Sequence, residues 1–326
     1  MLNQQSFEQK HSAEWQALRD TLLALRSRNP RKRPSASQYE VFPELYSKVC
    51  HHLSLAKTRG YSPQLVESLN NLVLDSYNQL YRYRGNRVRQ CIDFVVSGFP
   101  RLVRQHALLF WMSTMLFYLP ALIVGFACFF DSDFIYRIHD ASAVASYDYM
   151  YNPASDADYR IEERQSSSDF EMFGFYIKNN IGIDFRIFAS GIIFGIGTVF
   201  FLVYNGLAIG SVAGYLTGEG YISTFWGFVA GHSAFELTAA CISGMAGLLI
   251  GLALIKPGNL TRADALKANA LIAVKLVAGA GLMTLAAAFI EAYWSSMGLP
   301  SIVKYTVGIG FWLLTAAYLL LAGRPR

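Results

Sequence analysis

Apolar and polar positions are distributed very unevenly along this chain of 326 residues. The stretch from Ile187 to Thr217 carries no charged side chain, and a second apolar run extends from Leu108 to Phe130. A helix needs roughly 20 apolar residues to cross the hydrocarbon core of a bilayer. The pattern therefore predicts an all-α, polytopic membrane protein, with a first transmembrane helix at 108–130 and a glycine-rich helical bundle at 186–326.

The front of the chain, residues 1–107, has no apolar run long enough to span a membrane. It carries 16 Lys and Arg against 8 Asp and Glu, and six of the arginines lie between residues 82 and 104. Basic residues next to a span favour the cytoplasmic side and attract anionic headgroups. Apolar residues recur at helical spacing in three segments, so we expect a cytoplasmic helical bundle that contacts membrane lipid. No nucleic-acid reading motif accompanies the basic residues, so nucleic acid is not an expected partner.

The segment 131–185 reverses this balance, with 11 Asp and Glu against 4 Lys and Arg in residues 131–184. We expect it to form an acidic extracytoplasmic loop of a protein in the inner membrane. The side of the C-terminus stays open at this stage. Five crossings place it outside, whereas the basic residues after Ile255 and at the chain end favour the inside. A hairpin over Ile222–Ile255 would remove the conflict, and a short helix followed by one full span would not.

Glycines recur at every fourth position in the longest uncharged stretch, at Gly206, Gly210, Gly214 and Gly218. This spacing forms a ridge without side chains, against which another helix backbone can pack closely. The ridge predicts tight packing inside the bundle or, in a second interpretation, contact with another copy of the chain. We expect a homodimer.

The membrane part also contains ionisable residues, which are costly in hydrocarbon and indicate a functional site unless they are satisfied by partners. His232 and Glu236 are four residues apart, so they share one face of a helix. Lys275 is the expected counter-charge for Glu236 or Glu291. The alternative is a purely structural pair that fixes helix packing. The HExxH zinc motif is absent, and we expect no metal and no cofactor. The adjacent His51 and His52 in the front are predicted to be surface histidines.

Several short motifs follow one another along the chain, namely Asn179-Asn180-Ile181, Asn205-Gly206, and the segment GHSAFEL that begins at Gly231 and contains His232 and Glu236. Together they resemble the stage II sporulation protein M family of integral membrane proteins. Ser233 stands where the family has glycine, and the spacing is HxxxE. The resemblance implies a multi-pass protein without established catalytic activity that holds peptidoglycan-degrading partners in a complex. It also implies relatives encoded beside AAA-type ATPases.

These observations lead to the expectation of a non-enzymatic scaffold or assembly factor in the cell envelope, with a cytoplasmic ATPase or a cell-wall enzyme as partner. The chief alternative is a transporter or channel for a small solute or ion, in which the polar cluster lines a cavity. An intramembrane enzyme is a weaker third possibility, because no nucleophile accompanies His232 and Glu236. A cavity that reaches Glu236 favours transport, whereas a dry, packed pair favours the scaffold.

Overall fold

The protein is built from helices in two separate units. The computed structural model describes residues 4–26, 36–80, 87–154 and 166–324, and every regular element in these ranges is helical, which confirms the predicted fold class. The compact units are Met1–Gln90 and Cys91–Arg326. The predicted front boundary at residue 107 lies too far along the chain, because Phe99 and Val103 belong to the apolar core of the second unit.

The first unit contains three helices, α1 (Gln4–Arg26), α2 (Ala36–Thr58) and α3 (Pro63–Leu80). Their apolar stripes meet in a core that includes the fully buried Leu18 and Val49. Pro63 occupies the first helical position of α3, where a missing N–H costs nothing. The Ser62 hydroxyl before it accepts a hydrogen bond from the backbone N–H of Leu65 at 3.4 Å.

His52 belongs to the interior of this unit, with 5% of its surface exposed, so the prediction of a surface histidine is wrong for this residue. The indole N–H of Trp15 donates to its Nδ1 at 3.1 Å, and its Nε2 lies 3.7 Å from a carboxylate oxygen of Glu14. Its ring also packs on His11 at 3.9 Å between centroids. Burial, followed by repulsion from His11, lowers the pKa of His52 below its usual value. Burial in this core therefore favours the neutral imidazole.

The second unit contains the remaining helices of the described chain, joined in three places by π-helical turns. The helices are α4 (Arg87–Asp93), α5 (Phe99–Gln105), α6 (Ala107–Phe130), α7 (Ala141–Tyr151), α8 (Ser166–Tyr176), α9 (Gly182–Ala189), α10 (Ile196–Gly218), α11 (Ile222–Val229), α12 (Ser233–Ile255), α13 (Arg262–Ile290) and α14 (Ser301–Leu321). The π-helical turns are Phe94–Gly98, Ile177–Ile181 and Glu291–Ser295. The first residues of α4 fall in the first unit.

Five stretches of the described residues are long and apolar enough to cross a membrane, namely α6, α10, α12, α13 with its following turn, and α14. We call the side at which α6 begins the proximal side, and the side at which it ends the distal side. Residues of α10 contact residues of α6 in the same order along both helices, since Gly206 lies against Phe117 and Gly214 lies against Gly125. These two helices are therefore parallel, and the chain between them must return from the distal to the proximal side.

The return is made by α8, the π-helical turn Ile177–Ile181 and α9, which together cover 166–189. At 1.5 Å per residue these 24 residues reach about 36 Å, enough for a full crossing. The segment runs antiparallel to α13, since the ring of Phe173 packs on Tyr293 near one end and Asp184 contacts Thr284 near the other. The predicted external loop 131–185 is thus too long, because its last part is helical and packs inside the bundle against α13.

The other crossings alternate in direction, and α11 is a short helix at the distal side before α12. Among the described residues the bundle therefore has six passes, namely the five apolar stretches and the segment 166–189, and α14 ends on the proximal side beside the start of α6. There the guanidinium of Arg104 donates to the carbonyl oxygens of Leu319 and Ala322 at 2.5 and 2.6 Å. Arg101 donates to the carbonyl of Gly323 at 2.9 Å. An even number of passes places the C-terminal end on the same side as the basic residues before α6, which removes the conflict between the number of spans and the charge distribution. Residues 222–255 form a short helix and one span rather than a hairpin.

Candidate functional site

The glycine ridge packs against the first crossing of the same chain. Gly206, Gly210 and Gly214 are buried, and an added Cβ on them would overlap carbonyl oxygens of α6. Gly218 closes the row against Phe129 at the distal end. Because α6 already covers Gly206, Gly210 and Gly214, these three glycines offer no surface for a second copy.

Three of the four residues expected in the intramembrane polar cluster come together near the distal ends of α12 and α13. Nε2 of His232 lies 3.9 Å from a carboxylate oxygen of Glu236, as their spacing of four residues predicts. Glu291, in the π-helical turn after α13, joins them, so that one ligand-type atom from each of the three lies within 4.8 Å of the others. His232 and Glu291 are buried, whereas the Glu236 side chain is 25% exposed.

Lys275 does not belong to this cluster, so its expected pairing with Glu236 or Glu291 is wrong. It precedes Glu291 by 16 positions in the sequence, which corresponds to roughly 24 Å along a helix. Its side chain is exposed and sits one turn before Gly279, which packs on Phe99 near the proximal side. At this position a lysine can extend its ammonium group to the interface instead of pairing with a buried carboxylate.

Two π-helical turns supply the polar groups that hold the cluster in place. Asn180, in the turn of the second crossing, donates through Nδ2 to Glu291 at 3.4 Å and accepts from Asn179 Nδ2 at 2.8 Å. On the other turn, the Ser295 hydroxyl lies 3.1 Å from Nδ1 of His232. Single π-helical turns occur frequently at functional sites, because they redirect side chains out of the regular helical pattern.

A cavity of about 410 Å³ lies beside the cluster. Its polar lining includes Asn180, Asn205, His232 and Glu236, and the exposed part of Glu236 is therefore consistent with a surface on this cavity. From the distal side, His139 also lines it, with Nε2 2.9 Å from the hydroxyl of Ser211. We call this space the distal chamber. Two members of the polar cluster, His232 and Glu236, therefore face a cavity.

Asp184 is a further buried carboxylate that the sequence did not single out, because it was assigned to the end of the external loop. It is 4% exposed and accepts a hydrogen bond from the hydroxyl of Thr284. It follows Asn180 by four residues, so both lie on one face of the second crossing, with Asp184 deeper in the bundle. The spacing of four residues between Asn180 and Asp184 could have predicted this second polar residue on the same face, but only if residues 166–189 had been recognised as part of the bundle.

The apolar helices of the described chain and the distal chamber define a polytopic α-helical membrane protein with an ionisable cluster inside its bundle. The family model for stage II sporulation protein M matches residues 107–296, and a model described as a domain of unknown function, DUF8413, matches residues 5–82. The chain therefore belongs to the stage II sporulation protein M family, as its motifs suggested. No curated protein and no solved structure matches it.

Proposed function

We infer that this protein carries a small cation across the membrane, with the distal chamber as its binding site. The observation that supports this function is the cavity beside Glu236. A transport site requires such a cavity, whereas a pair that only fixes helix packing does not. Carboxylates at membrane depth attract cations, and they are expensive to keep there without a functional role.

The helices around the chamber add support. Two π-helical turns lie beside the chamber, Ile177–Ile181 within the segment 166–189 and Glu291–Ser295 at the distal end of α13. The two turns meet at the hydrogen bond between Asn180 and Glu291. Helices that depart from regular α-helical geometry beside a polar site are a feature of secondary-transporter binding sites.

Ion flux into proteoliposomes tests this function. We expect the purified protein to admit at least one of H⁺, Na⁺ and Zn²⁺, followed with ion-sensitive dyes, faster than protein-free liposomes do. The Glu236→Gln variant should lower that flux to the protein-free rate, because the amide keeps the shape of the side chain but removes the charge that attracts the cation.

Glu219→Gln is the matched control, because Glu219 is exposed at the distal end of α10 and bonds to Ser132 at 2.7 Å. It should keep the wild-type flux. Absence of flux for all three cations, or an unchanged flux in Glu236→Gln, would contradict the transport function.

A scaffold role in the cell envelope is the second candidate, supported by a separate observation. The first unit has its own apolar core and forms a compact body distinct from the membrane bundle. Such a unit is suited to bind a partner, for which we propose a cytoplasmic ATPase or a cell-wall enzyme. On this proposal the protein lies in the inner membrane with its N-terminus in the cytoplasm, in keeping with the basic residues before α6. This role is non-enzymatic and compatible with cation transport by the bundle.

A further inference from the structure

We propose that His232, Glu236 and Glu291 bind a divalent transition-metal ion at the wall of the distal chamber. This proposal rests on the proposed transport function. It adds the class of cation that binds in the chamber. It assigns these residues the role of metal ligands, beyond the polar cluster expected from the sequence.

The ligand set is the first argument. An imidazole nitrogen and two carboxylate oxygens suit Zn²⁺ and its neighbours in the first transition row, whereas Mg²⁺ and Ca²⁺ prefer oxygen ligands alone. One atom from each of the three residues lies within 4.8 Å of the others. Ligands on a tetrahedral Zn²⁺ stand about 3.3–3.5 Å apart, so the site closes when these atoms approach one another by up to about 1.5 Å.

The orientation of His232 is the second argument. A histidine that binds a metal through Nε2 carries its proton on Nδ1 and usually donates it to a nearby acceptor. The Ser295 hydroxyl, 3.1 Å from Nδ1, can accept this hydrogen bond. Nε2 then directs its lone pair towards Glu236, at 3.9 Å. Asn180 fixes Glu291 in the same way, through its own hydrogen bond.

The histidine cluster of the first unit lacks this arrangement. His11, Glu14 and His52 are equally close to one another. However, the indole N–H of Trp15 is a donor only, so Nδ1 of His52 must accept and its proton sits on Nε2, which faces Glu14. A protonated Nε2 cannot bind a metal, so we assign that cluster a structural role.

Charge balance is the third argument. Among the described residues, no lysine or arginine comes within 4.0 Å of the carboxylates of Glu236 and Glu291. The nearby Lys304 donates instead to the backbone carbonyl of Ser295 at 2.8 Å. Two carboxylates and a neutral imidazole would be neutralised by one divalent cation, which removes the cost of buried negative charge. The chamber leaves room for water or a counter-ligand at the open position.

Zn²⁺ binding to the full-length protein, purified in mild detergent without a histidine tag and treated with a chelator, tests the proposal. Isothermal titration calorimetry should show one Zn²⁺ per chain. The affinity should fall by about 100-fold or more in the double variant Glu236→Gln/Glu291→Gln, and by about tenfold in Ser295→Ala, which removes only the support of His232.

His11→Ala, in the histidine cluster of the first unit, is the matched control and should bind Zn²⁺ as the wild type does. The elution profile on size exclusion and the melting temperature without metal verify that each variant is folded, and His232→Gln replaces the double variant if the latter does not fold. Wild-type protein that binds no Zn²⁺, or a folded ligand variant that binds it as tightly as the wild type, would overturn the metal site.

Binding and flux separate this inference from the proposed function. Zn²⁺ bound without any flux would retain the metal site and overturn transport. Flux of H⁺ or Na⁺ by a protein that binds no Zn²⁺ would support transport and overturn the metal site.

Discussion

A Gly214→Ala variant should unfold at a markedly lower temperature than the wild type, or fail to yield folded protein. Gly214 is buried, and the added methyl group would meet the carbonyl oxygen of Gly125, which cannot move without shifting α6. Overpacking by one methyl group in a close-packed interface costs about 1–3 kcal/mol, and a backbone obstacle brings the cost to the upper end. Alanine would otherwise favour the helix, so a loss of stability must arise from the contact.

Gly310→Ala is the matched control, since Gly310 also lies in a membrane helix and an added Cβ there has no neighbour within 4 Å. Its melting temperature in detergent should equal or exceed that of the wild type. A Gly214→Ala protein as stable as this control would show that α6 and α10 do not pack along the glycine ridge.

An Arg104→Leu variant should lose the anchoring of the C-terminal end of α14 to the start of the bundle. The guanidinium donates to the carbonyl oxygens of Leu319 and Ala322, which have no further partner within the helix at its end. Hydrogen bonds from a charged group contribute about 1.5–3 kcal/mol each, so the two bonds set an upper range of roughly 3–6 kcal/mol for the loss, which is smaller where water reaches the carbonyls. Hydrogen exchange should show faster opening of residues 315–322.

Arg101→Leu provides the comparison, because exposed Arg101 makes one such bond, to Gly323. Its effect should be smaller than that of Arg104→Leu. Equal protection of α14 in the wild type and the Arg104 variant would argue against a C-terminus on the same side as the start of α6, and therefore against six crossings.

The sequence predicted the features that depend on local pattern. The uncharged runs gave α6 and α10, and the short helix before a full span appears as α11 and α12. The spacing of His232 and Glu236 gave their proximity. Each of these predictions concerns residues of a single helix. There the period of 3.6 residues per turn determines which side chains share a face.

The second crossing could not be predicted from hydropathy. Its charged residues, among them Lys178 and Asp184, make 166–189 resemble an acidic loop. Asp184 is tolerated in the bundle because Thr284, 100 positions later, donates to it. The predicted pairing of Lys275 was wrong for the same reason. The partner of a polar residue depends on which residues of distant helices lie at the same depth in the bundle, and a local sequence pattern does not contain this information.

The central claim is that the distal chamber is accessible from the distal side and extends to His232 and Glu236. Thiol labelling of a residue that lines the chamber tests this claim. Asn205→Cys, in a background without the native cysteines, should react with a membrane-impermeant reagent added from the distal side only. Native Cys241, 1% exposed and one turn beyond Leu237, is the control and should stay unlabelled when it is the single cysteine. Labelling of Asn205→Cys from the proximal side, or from neither side while the protein is folded, would contradict the account.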